Sequence, residues 1–307
     1  VLPPLGAREQ AYKLELERDV RHLSTKVGER NAAKKWELAD AADWIFAELE
    51  AAGYSARREG YEVDGVAAQN FEASVKGEGG NQEIVVIGAH YDTAPGSPGA
   101  DDNASGVAAV LALARRFRTA TPARTIRFVF FTNEEPPYFQ TENMGSLVYA
   151  RAVHERKENV VAMLSIESIG YFDDSPGSQK FPAGLSKSFP SVGNFIAVVG
   201  DRDSADLVTR VTQTLRGWSN VPTEGAALDA RIPGVGWSDH WSFWQIQVPA
   251  VMITDTALFR NAHYHKPTDA AGTLDYDRMA RVVAGLESVI ADLTGDSTAP
   301  LPSRKAL

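Results

Sequence analysis

The stretch GAHYDTAPGSPGADDNASG (88–106) sets His90, Asp92, Asp101 and Asp102 directly after the apolar run EIVVI. Further along, Glu134 and Glu135 follow TIRFVFFTN, Glu167 follows VVAMLSI, and HYHKPTD brings His263, Tyr264, His265 and Asp269 a short loop beyond VPAVMIT. None of these apolar segments needs such residues for packing. Carboxylates held close together repel and raise one another's pKa unless a cation neutralises them. Two zinc ions would balance the charge of Asp102, Glu134, Glu135 and Glu167. A His and carboxylate set without thiolate suits catalytic zinc with an open coordination position. Two such metals can share a bridging carboxylate and lower the pKa of a bridging water. Taken singly, HYD is a weak signal and EE a weaker one, since adjacent acids are ordinary surface composition; GADDNASG is stronger, though it also reads as an acidic turn with a helix cap. Their order and common position carry the argument.

The elements that must position them are legible as patterns. The runs at 83–88, 125–132, 160–166, 194–199 and 248–254 are short, rich in Val, Ile and Phe, and apolar on both faces, as central strands covered on two sides are. Leu38, Ala42, Ile45, Phe46 and Leu49 recur at helical spacing and Gly53 supplies a stop. Helical patterns also occupy 104–117, starting after Asn103, and 146–157, 204–218 and 275–293. This alternation predicts an α/β fold, a three-layer sandwich with a mostly parallel central sheet flanked by helices. In such sheets ligands bind beyond the carboxyl ends of the strands, where the acids and imidazoles fall. The segment 171–193, rich in Gly, Pro and Ser but carrying four aromatic residues, reads as an ordered excursion loop. One domain over 1–307 is expected, with a helical region at 1–56 packed on it and a tail at 296–307.

Composition narrows the function. The 307 residues are 44% hydrophobic and 23% charged, enough for a large core, and the net charge of −9 is interspersed, which argues against a nucleic-acid surface. There is no cysteine, so disulfides and thiolate metal sites are excluded. No apolar stretch reaches the ~20 residues that span a bilayer.

In this order, AHYDT, PGADDNASG, FTNEE, IESIG and YHKPTD resemble the co-catalytic di-zinc aminopeptidases, the bacterial leucyl aminopeptidase type related to glutamate carboxypeptidases and glutaminyl cyclases. The resemblance spans roughly residues 60 to 290 and implies a zinc exopeptidase fold with two zinc ions per chain. It assigns His90 and Glu167 to one zinc, Glu135 and His265 to the other, and Asp102 to a bridge between them, with Asp101 its nearest competitor. Asp92 would hydrogen-bond the His90 imidazole. Glu134 would be the general base that takes a proton from a metal-bridging hydroxide's parent water and passes it to the leaving amine. Tyr264 would stabilise the oxyanion or simply pack. The peptide bond after the bridging aspartate, here Asp102–Asn103, is expected to be cis. In WSDHWSFW, Asp239 and His240 would border the site without binding metal. His263 is not taken as a ligand, and His22 and His154 are expected to face solvent.

Two features depart from the family's pattern. Glu167 stands where aspartate is usual, which bears on metal spacing and identity. PPYFQTENM intervenes before Gly145 and Ser146, making Tyr138 and Phe139 candidate pocket contacts. The implied substrate is a peptide with a free N-terminus. The alternatives are a glutaminyl-peptide cyclase, an acylamide or carboxypeptidase-like hydrolase using Arg231 or Arg260, and a metal-free binding domain. The cyclase would lack the full second-metal set, and the binding domain would show broken ligands. Absence of cysteine and of an initiator methionine, with export common among relatives, makes a periplasmic or secreted location the expectation and the cytoplasm the alternative.

Overall fold

In the computed structural model, which describes residues 2–80, 82–186 and 188–296, the apolar runs form the middle of one sheet. The expected tail beyond Asp296 lies outside the described residues. The strands are β1 (Arg57–Val63), β2 (Val66–Val75), β3 (Ile84–His90), β4 (Thr125–Phe131), β5 (Val160–Glu167), β6 (Ile196–Asp201), β7 (Thr223–Leu228) and β8 (Ala250–Thr254), in the order β1-β2-β4-β3-β5-β8-β6-β7. At the centre β4, β3, β5 and β8 run parallel. On one side β2 and β1 add antiparallel, and on the other β6 meets β8 antiparallel before pairing in parallel with β7.

Successive side chains on a strand point to opposite faces, and both faces here are covered. Val85, Ile87, Phe128, Phe130, Leu164 and Ile166 join one core with residues of α1 (Ala7–Arg21), α2 (Lys35–Ala51), α3 (Gly106–Phe117), α5 (Ala205–Trp218) and α7 (Tyr276–Thr294). Val86, Val129, Phe131 and Met163 face the other way, against Tyr149, Ala150 and Val153 of α4 (Gly145–Glu155) and Phe243 of α6 (His240–Trp244). The fold is therefore the expected three-layer α/β sandwich, and α1 packs on both α3 and α7.

Several element ends differ from the pattern-based expectation. β3 continues two residues further, so that His90 is its last residue, paired with Phe131. β6 and β8 each begin two residues later than expected. β1, β2 and β7 had no expectation. β1 lies at an edge with five polar or glycine positions, and β7 has the weakly patterned sequence TEGAAL at the other edge. The helix expected to start after Asn103 becomes regular only at Gly106. Before it, Ala100–Ser105 forms a wide turn in which Asp102 (φ −107°, ψ 93°) and Asn103 (φ −132°, ψ 39°) leave helical geometry. The Asp102–Asn103 peptide bond is cis, as expected. His22 does not face solvent freely: it is half-buried and stacks on Trp44 at 4.3 Å, because α2 packs beside it. His154 is exposed.

Gly106 fixes how closely the wide turn approaches β5. A Cβ there would lie 2.2 Å from the Ile166 carbonyl oxygen and 2.3 Å from Asn103 Oδ1. Gly106→Ala should lower stability by about 1–3 kcal/mol, the usual cost of overpacking, measured as a fall in the denaturant midpoint. An unchanged midpoint would show that this approach does not constrain the fold.

Candidate metal centre

Because the central strands are parallel, their carboxyl ends share one edge of the sheet. His90 ends β3 and Glu167 ends β5. The chain leaving β4 turns at Asn133 (φ 57°) and delivers Glu134 and Glu135, while the loop after β8 brings in His265. His90 Nε2 lies 3.1 Å from Glu167 Oε2, 3.4 Å from Asp102 Oδ1 and 3.8 Å from Glu134 Oε2. His265 Nε2 lies 3.1 Å from Asp102 Oδ2 and 3.2 Å from Glu135 Oε2. Two groups result, His90–Asp102–Glu167 and Asp102–Glu135–His265, each with its ligand atoms within 4.8 Å of one another. Asp102 belongs to both and turns one oxygen toward each imidazole.

A frame of hydrogen bonds holds these side chains. The Asp92 carboxylate accepts from the backbone N–H of Glu134 and of Glu135, both at 3.1 Å. In the same manner the Asp269 carboxylate accepts from the N–H of Asp101 (2.9 Å) and Asp102 (3.2 Å). Asn103 donates to the Ile166 carbonyl and accepts from the N–H of Gly106 and Ser168, tying the wide turn to the end of β5. Ser238 and Ser168 donate their hydroxyls to the two oxygens of Glu167, at 2.7 and 3.0 Å. Asn103, Ser168 and Ser238 carried no signal of their own in the sequence. Ser238 directly precedes Asp239 in WSDHWSFW, and proximity to that motif was the available clue.

Some expected placements differ. His90 Nδ1 is 3.2 Å from the main-chain carbonyl of Asp92 and 3.6 Å from its carboxylate, which is committed to the glutamate N–H groups. Asp101 turns away from the ligand groups. Its carboxylate accepts from Gly170 N–H and Asn261 Nδ2, so it does not compete for the bridging position. Asp239 is fully buried with neither oxygen hydrogen-bonded, and the His240 ring donates from Nε2 to the Val235 carbonyl. His263 Nδ1 meets Thr268 Oγ1, apart from both groups. Tyr264 stacks on His265 at 3.8 Å.

An apolar cavity of about 100 Å³ opens beside Glu167 and Tyr264, lined by Phe181, Phe195, Trp237, Met252 and Phe259 among others. Tyr138 and Phe139 do not line it. Tyr138 instead donates its hydroxyl to Asp64, because the segment after the glutamate pair folds toward the β1–β2 turn. Arg231 is exposed on Asp229, and Arg260 is buried with donors on Gln179 and the Tyr171 and Phe195 carbonyls. Neither arginine lines the cavity.

The electrostatics show how crowded the acids are. Burial, with repulsion from Glu135 and Glu167 against the pull of His90, holds Glu134 well above the usual carboxylate range. Burial and the charge of Asp102 push Glu135 up to about 7. Burial likewise raises Asp239 to about 7, as do burial and Asp101 for Asp269. Burial opposes the charge on Asp102, yet hydrogen bonds from His265 and His90 outweigh it and lower its pKa. Burial also disfavours the His265 imidazolium, but bonds to Asp102 and Glu135 hold its pKa at about 10. Imidazoles are thus drawn into serving as counter-cations. A metal fits the residues present: the donors are all nitrogen and oxygen, and the buried Glu135 Oε1 has no hydrogen-bond partner.

The model of Peptidase family M28 matches residues 70–290. The uncharacterized protein YfbL of Escherichia coli K12 is 36% identical over 285 residues, covering 90% of this chain and 87% of that protein. Leucine aminopeptidase 1 of Arthroderma otae is 27% identical over 230 residues, 69% of this chain and 56% of that relative, so this match spans little more than half of it. The structure of BSAP, a zinc aminopeptidase from Bacillus subtilis, covers 98% of each chain with a TM-score of 0.72 at 12% identity, which shows a shared fold alone. The family model covers well over half of the chain, and the chain belongs to peptidase family M28.

Proposed function

We propose that this chain is an aminopeptidase that works with two zinc ions and removes an apolar residue from the free N-terminus of a peptide. The observation that carries the reading is Asp102, whose two oxygens each face a separate, complete ligand group. His90, Asp102 and Glu167 would hold one ion, and Asp102, Glu135 and His265 the other. When bound, zinc polarises the scissile carbonyl and acidifies a coordinated water.

The remaining residues supply the proton transfers and the binding. Glu134 belongs to neither ligand group, is buried beside both, and holds a proton more readily than an ordinary carboxylate. That suits it to take a proton from the attacking water and deliver it to the leaving amine. Burial, with the charges of Asp102 and Glu135 adding to it, raises the Tyr264 phenol far above its usual value, so its O–H stays a donor, available to the oxyanion. The surplus of carboxylates favours a cationic α-amine, and no arginine lines the cavity among the described residues, which speaks against a carboxylate-recognising relative. Aromatic and methionine walls favour a large apolar side chain in the cavity. The presence of both candidate ligand groups favours this reading over a one-zinc cyclase.

The test uses leucyl-anilide and its N-acetylated form. Only the free amine should be cleaved, with activity lost to a chelator and restored by two equivalents of zinc. Cleavage of the acetylated form, or full recovery at one equivalent with cyclisation of glutaminyl peptides, would overturn the reading. Glu134→Gln should lower kcat by about 10²–10⁴-fold while zinc stoichiometry stays at two. Loss of zinc in that variant would make Glu134 a ligand instead.

The cavity makes its own prediction. Leucyl-anilide should exceed alanyl-anilide in kcat/KM by roughly 10–200-fold, the range a hydrophobic pocket gives. Equal values would remove the cavity from the substrate's path.

A further inference from the structure

We infer that Arg30, from the N-terminal region outside the span matched by the family model, is a positioning residue that sets the separation of His90 and Asp102. The inference rests on the two-zinc reading of the site. Arg30 is the largest fully buried side chain in the described residues, yet no carboxylate hydrogen-bonds its guanidinium. Its donors go to neutral main-chain carbonyls. Nε donates to Tyr91 O at 2.6 Å, Nη1 to Pro98 O at 2.8 Å, Gly28 O at 3.0 Å and Leu23 O at 3.3 Å, and Nη2 to Gly99 O at 3.1 Å.

These acceptors are placed with consequence. Tyr91 directly follows His90, and Gly99 precedes the turn that presents Asp102. One guanidinium therefore pins both ends of the loop joining two metal-binding residues. The main chain repeats the attachment in the middle of the loop. Arg30 N–H donates to Thr93 Oγ1 at 3.0 Å, Thr93 N–H donates to Arg30 O at 2.9 Å, and Asn31 Nδ2 donates to Thr93 O at 3.2 Å. A loop with no sheet partner must satisfy its carbonyls somewhere, and here a single side chain from another part of the chain does so.

Electrostatics agree with this role. Burying a cation without a hydrogen-bonded counter-ion is costly. The charges of Asp92, Asp269, Asp102 and Glu135 all act in its favour. Burial lowers the Arg30 pKa only to about 10, so it remains charged at neutral pH. Lysine could not replace it: an ammonium offers three donors from one point, whereas the guanidinium spreads five across a rigid plane. Because Asp102 serves both ligand groups, releasing the loop should weaken both metals together.

The experiment compares the full chain with Arg30→Lys, titrating zinc against a chromophoric chelator and recording the visible spectrum of the cobalt-loaded protein. Unfolding of the metal-free forms is measured in parallel. Arg30→Lys should keep its secondary structure, lose about 10–100-fold in zinc affinity, the usual cost of removing a residue that orients ligands, and shift its cobalt bands. A folded Arg30→Lys with the parent's zinc affinity and cobalt spectrum, altered only in unfolding midpoint, would overturn the inference. Should Arg30→Lys fail to fold, Thr93→Val removes the Arg30 N–H acceptor at nearly constant volume. A several-fold loss of zinc affinity there supports the inference, and parent affinity overturns it. A parent chain that takes up no zinc would overturn the two-zinc reading and this inference with it.

Discussion

The mutual repulsion of buried carboxylates is the constraint on which the rest of this molecule depends. Asp92, Asp102, Glu134, Glu135, Glu167, Asp239 and Asp269 are all buried at one edge of a single sheet. Two like charges about 4 Å apart repel by about 4 kcal/mol even at an effective dielectric of ~20, so such a cluster does not persist without opposing charge. The protein supplies part of it from His90, His265 and Arg30, and backbone N–H groups absorb more. What remains is a surplus of negative charge with an unsatisfied oxygen on Glu135, which is what a site prepared for cations requires.

The sheet makes the cluster possible, and the loops make it specific. Parallel β4, β3, β5 and β8 put four chain exits side by side. A strand end alone fixes a Cα, not a carboxylate oxygen. Two buried aspartates solve this in the same way: Asp92 takes the N–H pair of Glu134 and Glu135, and Asp269 takes that of Asp101 and Asp102. Each carboxylate fixes two successive peptide planes rather than a side chain, and the candidate ligand side chains take their direction from that backbone.

That distinction explains what could be read from the sequence. Central strands buried on both faces leave continuous apolar runs, and acids or imidazoles just beyond them stand out, so the candidate site positions were legible before any contact was known. Edge strands β1 and β7 are only half covered and left no comparable run. The family resemblance implied a side-chain bond between His90 and Asp92, but the Asp92 carboxylate goes to residues on a different strand exit, a choice that local sequence does not encode. Tyr138 and Phe139 were close to Glu135 in sequence, whereas the cavity is walled by residues from 167 to 264. Arg30 sits in GERNAAKK, which has no apolar pattern to announce burial, and its guanidinium is held by carbonyls of Tyr91, Pro98 and Gly99, far away in the sequence.

Glu167 stands where the family resemblance leads one to expect aspartate, and the frame around it shows how the longer side chain is held. A longer side chain loses more rotamer freedom when it is fixed, so it needs more to fix it. Here the Ser168 hydroxyl holds Oε1 while the Ser238 hydroxyl holds Oε2, and Oε2 is also the oxygen 3.1 Å from His90 Nε2. Two hydroxyls, one from the next residue and one from the loop before α6, thus select which oxygen faces the imidazole. The longer side chain is thus held by hydrogen bonds of its own, on a backbone that pairs with Thr254 at the end of β5.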